Sequence, residues 1–272
     1  MTRPCFDSAQ QPIVIYSNQK GGVGKTTTCR ELGLYIASIG KSVCLIDTDP
    51  QGNLSQSLVP DETIRSGLFE AFTGDAWELV QVNGNLSLLA GDKRLAGLEK
   101  SLVGEMDAFT RLKDLLADER FRSFDYIFID SPPSLGILTG NGLAAATHFI
   151  IPMSPALYTL QGTNDLMDTI SKVRRSLNPG LALLGVIINA YDAKPVISRQ
   201  ISDEIRQGFG DIVFASHLSR TIKIEEAIAG KTSVTELKKL DKSRAKDEVS
   251  AIGDELLTRL EPLTRLEASY GK

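Results

Sequence analysis

Asn18-Gln19-Lys20-Gly21-Gly22-Val23-Gly24-Lys25-Thr26-Thr27 is the stretch of this chain with the most chemistry in it. Its glycines let the backbone take positive φ, so several N–H groups can converge on one anion. Lys25 is placed to reach the β- and γ-phosphates of a nucleoside triphosphate, and the Thr26 hydroxyl to complete the shell of a Mg²⁺ ion. Position 19 is glutamine where the usual G-x-x-x-x-G-K-[ST] pattern has glycine, and a second lysine, Lys20, stands ahead of the glycines. A dinucleotide-binding loop is a poor match, because Gly22-Val23-Gly24-Lys25-Thr26-Thr27 has threonine where a third glycine belongs. The expected ligand is a triphosphate.

Two further segments supply the acids such a site requires. Val43-Cys44-Leu45-Ile46-Asp47-Thr48-Asp49-Pro50-Gln51-Gly52-Asn53 places Asp47 and Asp49 at the end of an apolar run. Tyr126-Ile127-Phe128-Ile129-Asp130-Ser131-Pro132-Pro133 ends another such run on Asp130. Alone, an acid at a strand end is an ordinary turn former. With the glycine turn, three such acids make a constellation for Mg²⁺, which keeps most of its waters and favours carboxylates. Asp130 suits the role of holding those waters.

To bring these residues together the chain must fold as an α/β sheet. Short β-rich runs at Ile13–Ser17, Ser42–Asp47, Leu86–Ala90, Tyr126–Asp130, Phe149–Met153, Leu183–Asn189 and Ile212–Phe214 alternate with helical patterns. The helices are expected at Lys25–Ile39, Ile64–Phe72, Ala108–Leu116, Leu157–Leu177, Val196–Gly210 and Ser243–Arg265. Several strands are apolar almost throughout, as parallel strands covered on both faces are. The expectation is a doubly wound, mostly parallel sheet with helices on both faces, in which ligands gather at the C-terminal strand edge.

The 272 residues, 42% apolar and 24% charged, suit a soluble globular chain of this kind. No internal repeat or long linker divides it, so a single domain over 1–272 is expected, with tails at 1–11 and from about 266. No apolar stretch approaches the roughly 18–20 residues of a membrane span. The first dozen residues read as neither signal nor transit peptide. Cys5, Cys29 and Cys44 share no CxxC spacing, which argues against a disulfide framework or a zinc site and suits a reducing cytoplasm.

The segment Lys20-Gly21-Gly22-Val23-Gly24-Lys25-Thr26-Thr27 resembles the deviant Walker A box of the ParA/MinD ATPases, and the preceding Asn-Gln resembles the ParA branch. DTDPQGN and FIDSPPSLG are similar to that branch's switch I and Walker B boxes, and the resemblance runs through roughly residues 12 to 262. It implies an ATPase using ATP and Mg²⁺, with Gly21, Gly22, Val23, Gly24, Lys25, Thr26 and Thr27 on the phosphates. Lys20 would reach across a nucleotide-bound homodimer to the partner's phosphates, as an arginine finger does. Asp49 would position the attacking water, Asp47 would lie near the magnesium and Asp130 would hold its waters, with Thr26 on the metal. Asn189, in Asn189-Ala190-Tyr191-Asp192, would lie beside the adenine.

A nucleotide switch needs an output. Between Arg220 and Lys246 stand eight basic residues against four acidic ones, in a chain whose formal charge is −4 overall. Such a stripe is the footprint of phosphate-backbone binding, although a charge run is also an ordinary solvated face. Leu218-Ser219-Arg220-Thr221-Ile222-Lys223-Ile224-Glu225-Glu226-Ala227 is similar to a ParA segment, IPRNVRLSEA, whose basic positions, here Arg220 and Lys223, are associated with nonspecific DNA contact. Lys242 and Arg244 extend the stripe. A ParB-like centromere-binding partner is implied by the resemblance alone. With about a dozen residues ahead of the first strand, no helix-turn-helix is expected there.

Two alternatives carry different outputs. A MinD-like membrane anchor would use Val249, Ile252, Leu256, Leu260, Leu263 and Leu266, but Glu255, Glu261 and Glu267 share the other face with Arg259 and Arg265, and Pro262 interrupts it. A helix packed on the sheet fits better, and no membrane is expected. A metabolic P-loop enzyme would leave Lys20 and the basic stripe unexplained. The reading is a cytoplasmic DNA-partition ATPase, nucleoid-associated when bound to ATP.

Overall fold

The computed structural model describes residues 11–156, 161–192, 196–237 and 244–261. Its sheet has seven strands: β1 (Ile13–Tyr16), β2 (Val43–Asp47), β3 (Val80–Asn83), β4 (Leu86–Leu89), β5 (Tyr126–Asp130), β6 (His148–Met153) and β7 (Ala182–Ile188). They lie in the order β3-β4-β2-β5-β1-β6-β7. All neighbours are parallel except β3, which pairs antiparallel with β4 at one edge. The helices are α1 (Lys25–Ser38), α2 (Asn53–Leu58), α3 (Leu68–Thr73), α4 (Leu95–Ser101), α5 (Arg111–Leu115), α6 (Ile137–Ala145), α7 (Gln161–Ser176), α8 (Val196–Phe209), α9 (Ile222–Ala229) and α10 (Arg244–Leu260).

Period-two alternation divides the core into two layers. Val14, Tyr16, Val43, Leu45 and Phe128 face α1, α2, α9 and α10. Ile15, Cys44, Ile46, Ile127 and Ile129 face the layer that holds α3 to α8. Both faces of the central strands are therefore apolar, which is why they read as continuous runs. The architecture is a doubly wound, mostly parallel α/β sheet with helices on both faces.

Register brings the acids together. In β2 and β5, Asp47 lies opposite Asp130, and in β1 and β5, Tyr16 lies opposite Asp130. The loop leaving β1 thus starts beside both carboxylates.

Several elements differ from the sequence expectation. Strand β3 and helices α2, α4, α6 and α9 were not expected; each is short or, in α6, interrupted by Gly140 and Gly142, which weaken a helical pattern. The expected strand Ile212–Phe214 is a 3-10 turn over Gly210–Ile212, and Val213 makes only an isolated bridge to Val186. The expected helix from Ile64 starts at Leu68, where Glu70 Oε2 accepts the Gly67 N–H at 2.8 Å. Residues 157–160, and those of the expected C-terminal helix from 262 on, lie outside the described residues.

The apolar stripe of α10 is buried in the protein: Val249, Ile252 and Leu256 are fully covered. Gly253 lets the Tyr35 ring of α1 lie against the helix, where a Cβ would overlap it. Tyr35 Oη donates to Asp254 Oδ1 at 2.6 Å. No described helix is long and apolar enough to cross a membrane.

Candidate active site

The loop between β1 and α1 turns on Gly22 (φ 72°) and Gly24 (φ 87°), a backbone region that L side chains enter at a cost. At Gly24 there is also no room, because a Cβ would collide with the Asn189 side-chain amide. Val23 is buried and pins the loop. Asn18 shapes its start: Asn18 Oδ1 accepts the Lys20 N–H at 3.0 Å, and Asn18 Nδ2 donates to the Pro152 carbonyl at 2.8 Å.

Lys25 is buried at the head of α1, and its Nζ donates to the Lys20 carbonyl at 3.3 Å. Burial pulls its pKa down, while the Asp130 and Asp49 charges oppose that shift. The Thr26 hydroxyl donates to Asp130 Oδ2 at 2.6 Å. Asp130 Oδ1 is buried with no hydrogen-bond partner among the described residues. An orphaned carboxylate oxygen in such a place is costly unless a cation or donor meets it. Burial, with neighbouring Asp47, pushes the Asp130 pKa well up. A divalent cation would reverse that shift, so the donor set of Thr26 and Asp130 fits Mg²⁺ with its waters.

The geometry separates the other two acids. Both oxygens of Asp47 are engaged: Oδ2 accepts from Ser55 N at 2.9 Å and Ser55 Oγ at 2.7 Å, and Oδ1 from Asp49 N at 3.1 Å. Burial raises its pKa to about 6 against the pull of the Ser55 and Asp49 hydrogen bonds. Asp49 lines the wall of a cleft of about 460 Å³ together with Gly21, Gly22, Gly24, Lys25, Thr26 and Thr27. Its Oδ1 accepts from Gln51 N at 2.9 Å. The loop and Asp49 thus line one cleft, while Asp47 fixes the backbone at Asp49 from behind. Lys20 is half-buried at the start of the same loop.

Asn189, just after β7, lies against the phosphate loop. Its Nδ2 donates to the Gly24 carbonyl at 3.0 Å and to Thr28 Oγ1 at 2.8 Å, and its Oδ1 accepts from Ala190 N at 2.6 Å. Its two amide hydrogens tie the end of β7 to the Gly24 carbonyl and to Thr28 of α1, while Oδ1, which has two lone pairs, can take a second donor beside the Ala190 N–H.

Comparisons with known proteins place this chain in a family. A family profile described as an AAA domain matches residues 11–183. The chromosome-partitioning ATPase Soj of Thermus thermophilus is 38% identical over 221 residues, 80% of this chain and 86% of the relative. The chromosome partitioning protein ParA of Caulobacter vibrioides is 38% identical over 222 residues, 79% of this chain and 83% of the relative. The chain belongs to the ParA/Soj-type P-loop ATPases. Among solved structures, cobyrinic acid a,c-diamide synthase from Mycobacterium smegmatis with bound ATP analog and magnesium is similar at a TM-score of 0.78. The two are 32% identical, and the match covers 91% of this chain and 95% of that one.

The basic stripe of this ParA/Soj-type chain is less uniform than its count. Glu248 accepts from Ser219 N at 2.8 Å, Ser219 Oγ at 2.7 Å and Arg244 Nε at 2.7 Å, which brings the Arg220 and Arg244 segments to one surface. Both arginines are exposed. Lys223 pairs with Glu226 at 2.7 Å on the first turns of α9, so an acid competes with any external phosphate for its charge. Lys231 is exposed but spends its ammonium on main-chain carbonyls of and just beyond α2. Lys238, Lys239 and Lys242 lie outside the described residues. Sequence reasoning missed Ser55, Thr28 and the bracing role of Asn18, because hydroxyl and amide side chains that hold the loops carry no spacing of their own.

Proposed function

We propose that this protein is a DNA-partition ATPase that hydrolyses ATP to ADP and phosphate and couples that cycle to nonspecific DNA binding. The observation that supports it most is the convergence of the two-lysine phosphate loop, Asp49 and Asp130 on one cleft, in a chain similar to partition ATPases over about four-fifths of its length. Bound magnesium would offset phosphate charge. Lys25 and the loop N–H groups hold the triphosphate, Thr26 and Asp130 orient the metal's waters, and Asp49 orients the attacking water. Lys20 reaches the γ-phosphate of a second copy once two subunits close face to face, so turnover depends on the homodimer.

The closed dimer presents two Arg220–Arg244 surfaces to double-stranded DNA, and their phosphate contacts combine. Hydrolysis opens the dimer and releases the DNA, and a ParB-like partner accelerates that step. This cycle belongs in the cytoplasm, on the nucleoid while ATP is bound. A filter assay with ATP, ADP and no nucleotide tests it: retention of random-sequence DNA is expected with ATP alone. Retention on liposomes instead would favour a membrane-cycling ATPase. Hydrolysis with neither form of retention would favour a metabolic enzyme, the reading that the diamide synthase likeness supports.

A further inference from the structure

Lys231 sits in a place where its residue type is costly. It follows Gly230, the residue that closes α9, and its φ is 50°, in the left-handed region where glycine is at ease and a lysine is strained. The residue is exposed, yet its side chain folds back onto α2. Its Nζ donates to the Gln56 carbonyl at 2.6 Å and to the Val59 carbonyl at 2.9 Å, 175 and 172 residues away in sequence. These are carbonyls at the end of α2, where a helix leaves its last acceptors unsatisfied and favours a cation.

A second cation ties the same two pieces. Arg30 Nη2 donates to the Ser57 carbonyl at 3.2 Å and to the Thr232 carbonyl at 2.9 Å, so one guanidinium spans the end of α2 and the turn after α9. The rest of that turn is held to α1 by Glu31 Oε2, which accepts from Ser233 Oγ and Val234 N, each at 3.0 Å.

The other end of α2 is bound to the nucleotide acids. Ser55 donates twice to Asp47, and α2 begins at Asn53, four residues after Asp49. At its own start, α9 follows Arg220 directly through the cap Thr221, whose side chain accepts the Lys223 N–H. A displacement at Asp47–Asp49 therefore has a continuous polar route through α2 and Lys231 to the end of α9.

The geometry points to Lys231 as a positioning residue that transmits the state of the Asp47–Asn53 segment to α9 and the Arg220 surface. The DNA output of this joint rests on the partition reading, whereas the joint itself does not. Strain at Lys231 is retained because glycine, which would relieve it, has no ammonium to hold α2.

Lys231→Gly and Lys231→Arg test this in the full chain. Hydrogen exchange over residues 222–229 is compared with an uncleavable ATP mimic plus Mg²⁺ and with ADP, beside DNA retention under both. The parent is expected to show an ATP-dependent change in α9 exchange and at least tenfold more DNA retained with ATP. Lys231→Gly should keep ATP affinity and basal turnover within about twofold while losing both nucleotide-dependent differences, with α10 exchange unchanged. Lys231→Arg should restore them. If Lys231→Gly keeps the parent's nucleotide-dependent exchange in α9, or the parent shows none, the joint is overturned. If the parent's α9 responds and the glycine variant's does not, yet no DNA is retained by either, the joint stands and the partition reading fails.

Discussion

At the scale of single residues, the site depends on charges that the fold keeps dry. Lys25 is buried and interacts with the Asp130 and Asp49 charges, so Lys25→Ala removes a cation buried beside these carboxylates and should weaken ATP binding by more than about a hundredfold, on the order of 3 kcal/mol. Titration with a fluorescent nucleotide checks this, and near-parental affinity would remove the phosphate-loop assignment. Asp49→Ala should leave binding intact and stop turnover, because Asp49 lines the cleft while Asp47 is engaged with Ser55. A variant that hydrolyses ATP at the parental rate would hand the water to another group. Asp47→Asn would act differently, loosening α2 through the Ser55 bonds before touching chemistry.

At the scale of elements, the packing predicts where stability resides. Leu256 of α10 is fully buried in the core that α10 shares with α1, so Leu256→Ala should cost about 2–5 kcal/mol in urea unfolding. A loss below about 1 kcal/mol would mean that α10 is peripheral. The start of β6 carries a pH dependence. Burial holds the His148 pKa below its ordinary value, so the unfolded chain takes up its proton first as pH falls. Stability from this group is present above about pH 6.5 and is lost on acidification. His148→Asn should therefore lose less stability between pH 7.5 and 5.5 than the parent, and an equal loss would assign the acid sensitivity to other groups. The strands of this fold were legible in sequence because both faces of the central sheet are apolar, and the site was legible because glycine, lysine and aspartate fall at strand ends. Strand β3 was missed although Asn83-Gly84-Asn85 is a hairpin signal, since its four residues make a weak run. Helix α6 was hidden by its two glycines, and the contacts of Asn189 with Gly24, Lys231 with Gln56 and Arg30 with Thr232 were illegible because each joins residues more than 160 positions apart.

At the scale of the whole molecule, the cleft and the Arg220–Arg244 surface are separate sites, and the proposed cycle joins them through dimer closure. Arg220→Glu with Arg244→Glu should weaken binding to any DNA sequence and flatten its salt dependence, by a slope of roughly 0.9 for each lost phosphate contact. An unchanged slope would move the DNA surface elsewhere, for example to the segment around Lys242. Closure itself is a matter of mass. Light scattering on the protein with Mg²⁺ and an uncleavable ATP mimic, beside Lys20→Ala under the same conditions, measures it directly. Twice the monomer mass is expected for the parent and the monomer mass for the nucleotide-bound variant; a parent that stays monomeric with nucleotide bound would contradict the face-to-face mechanism.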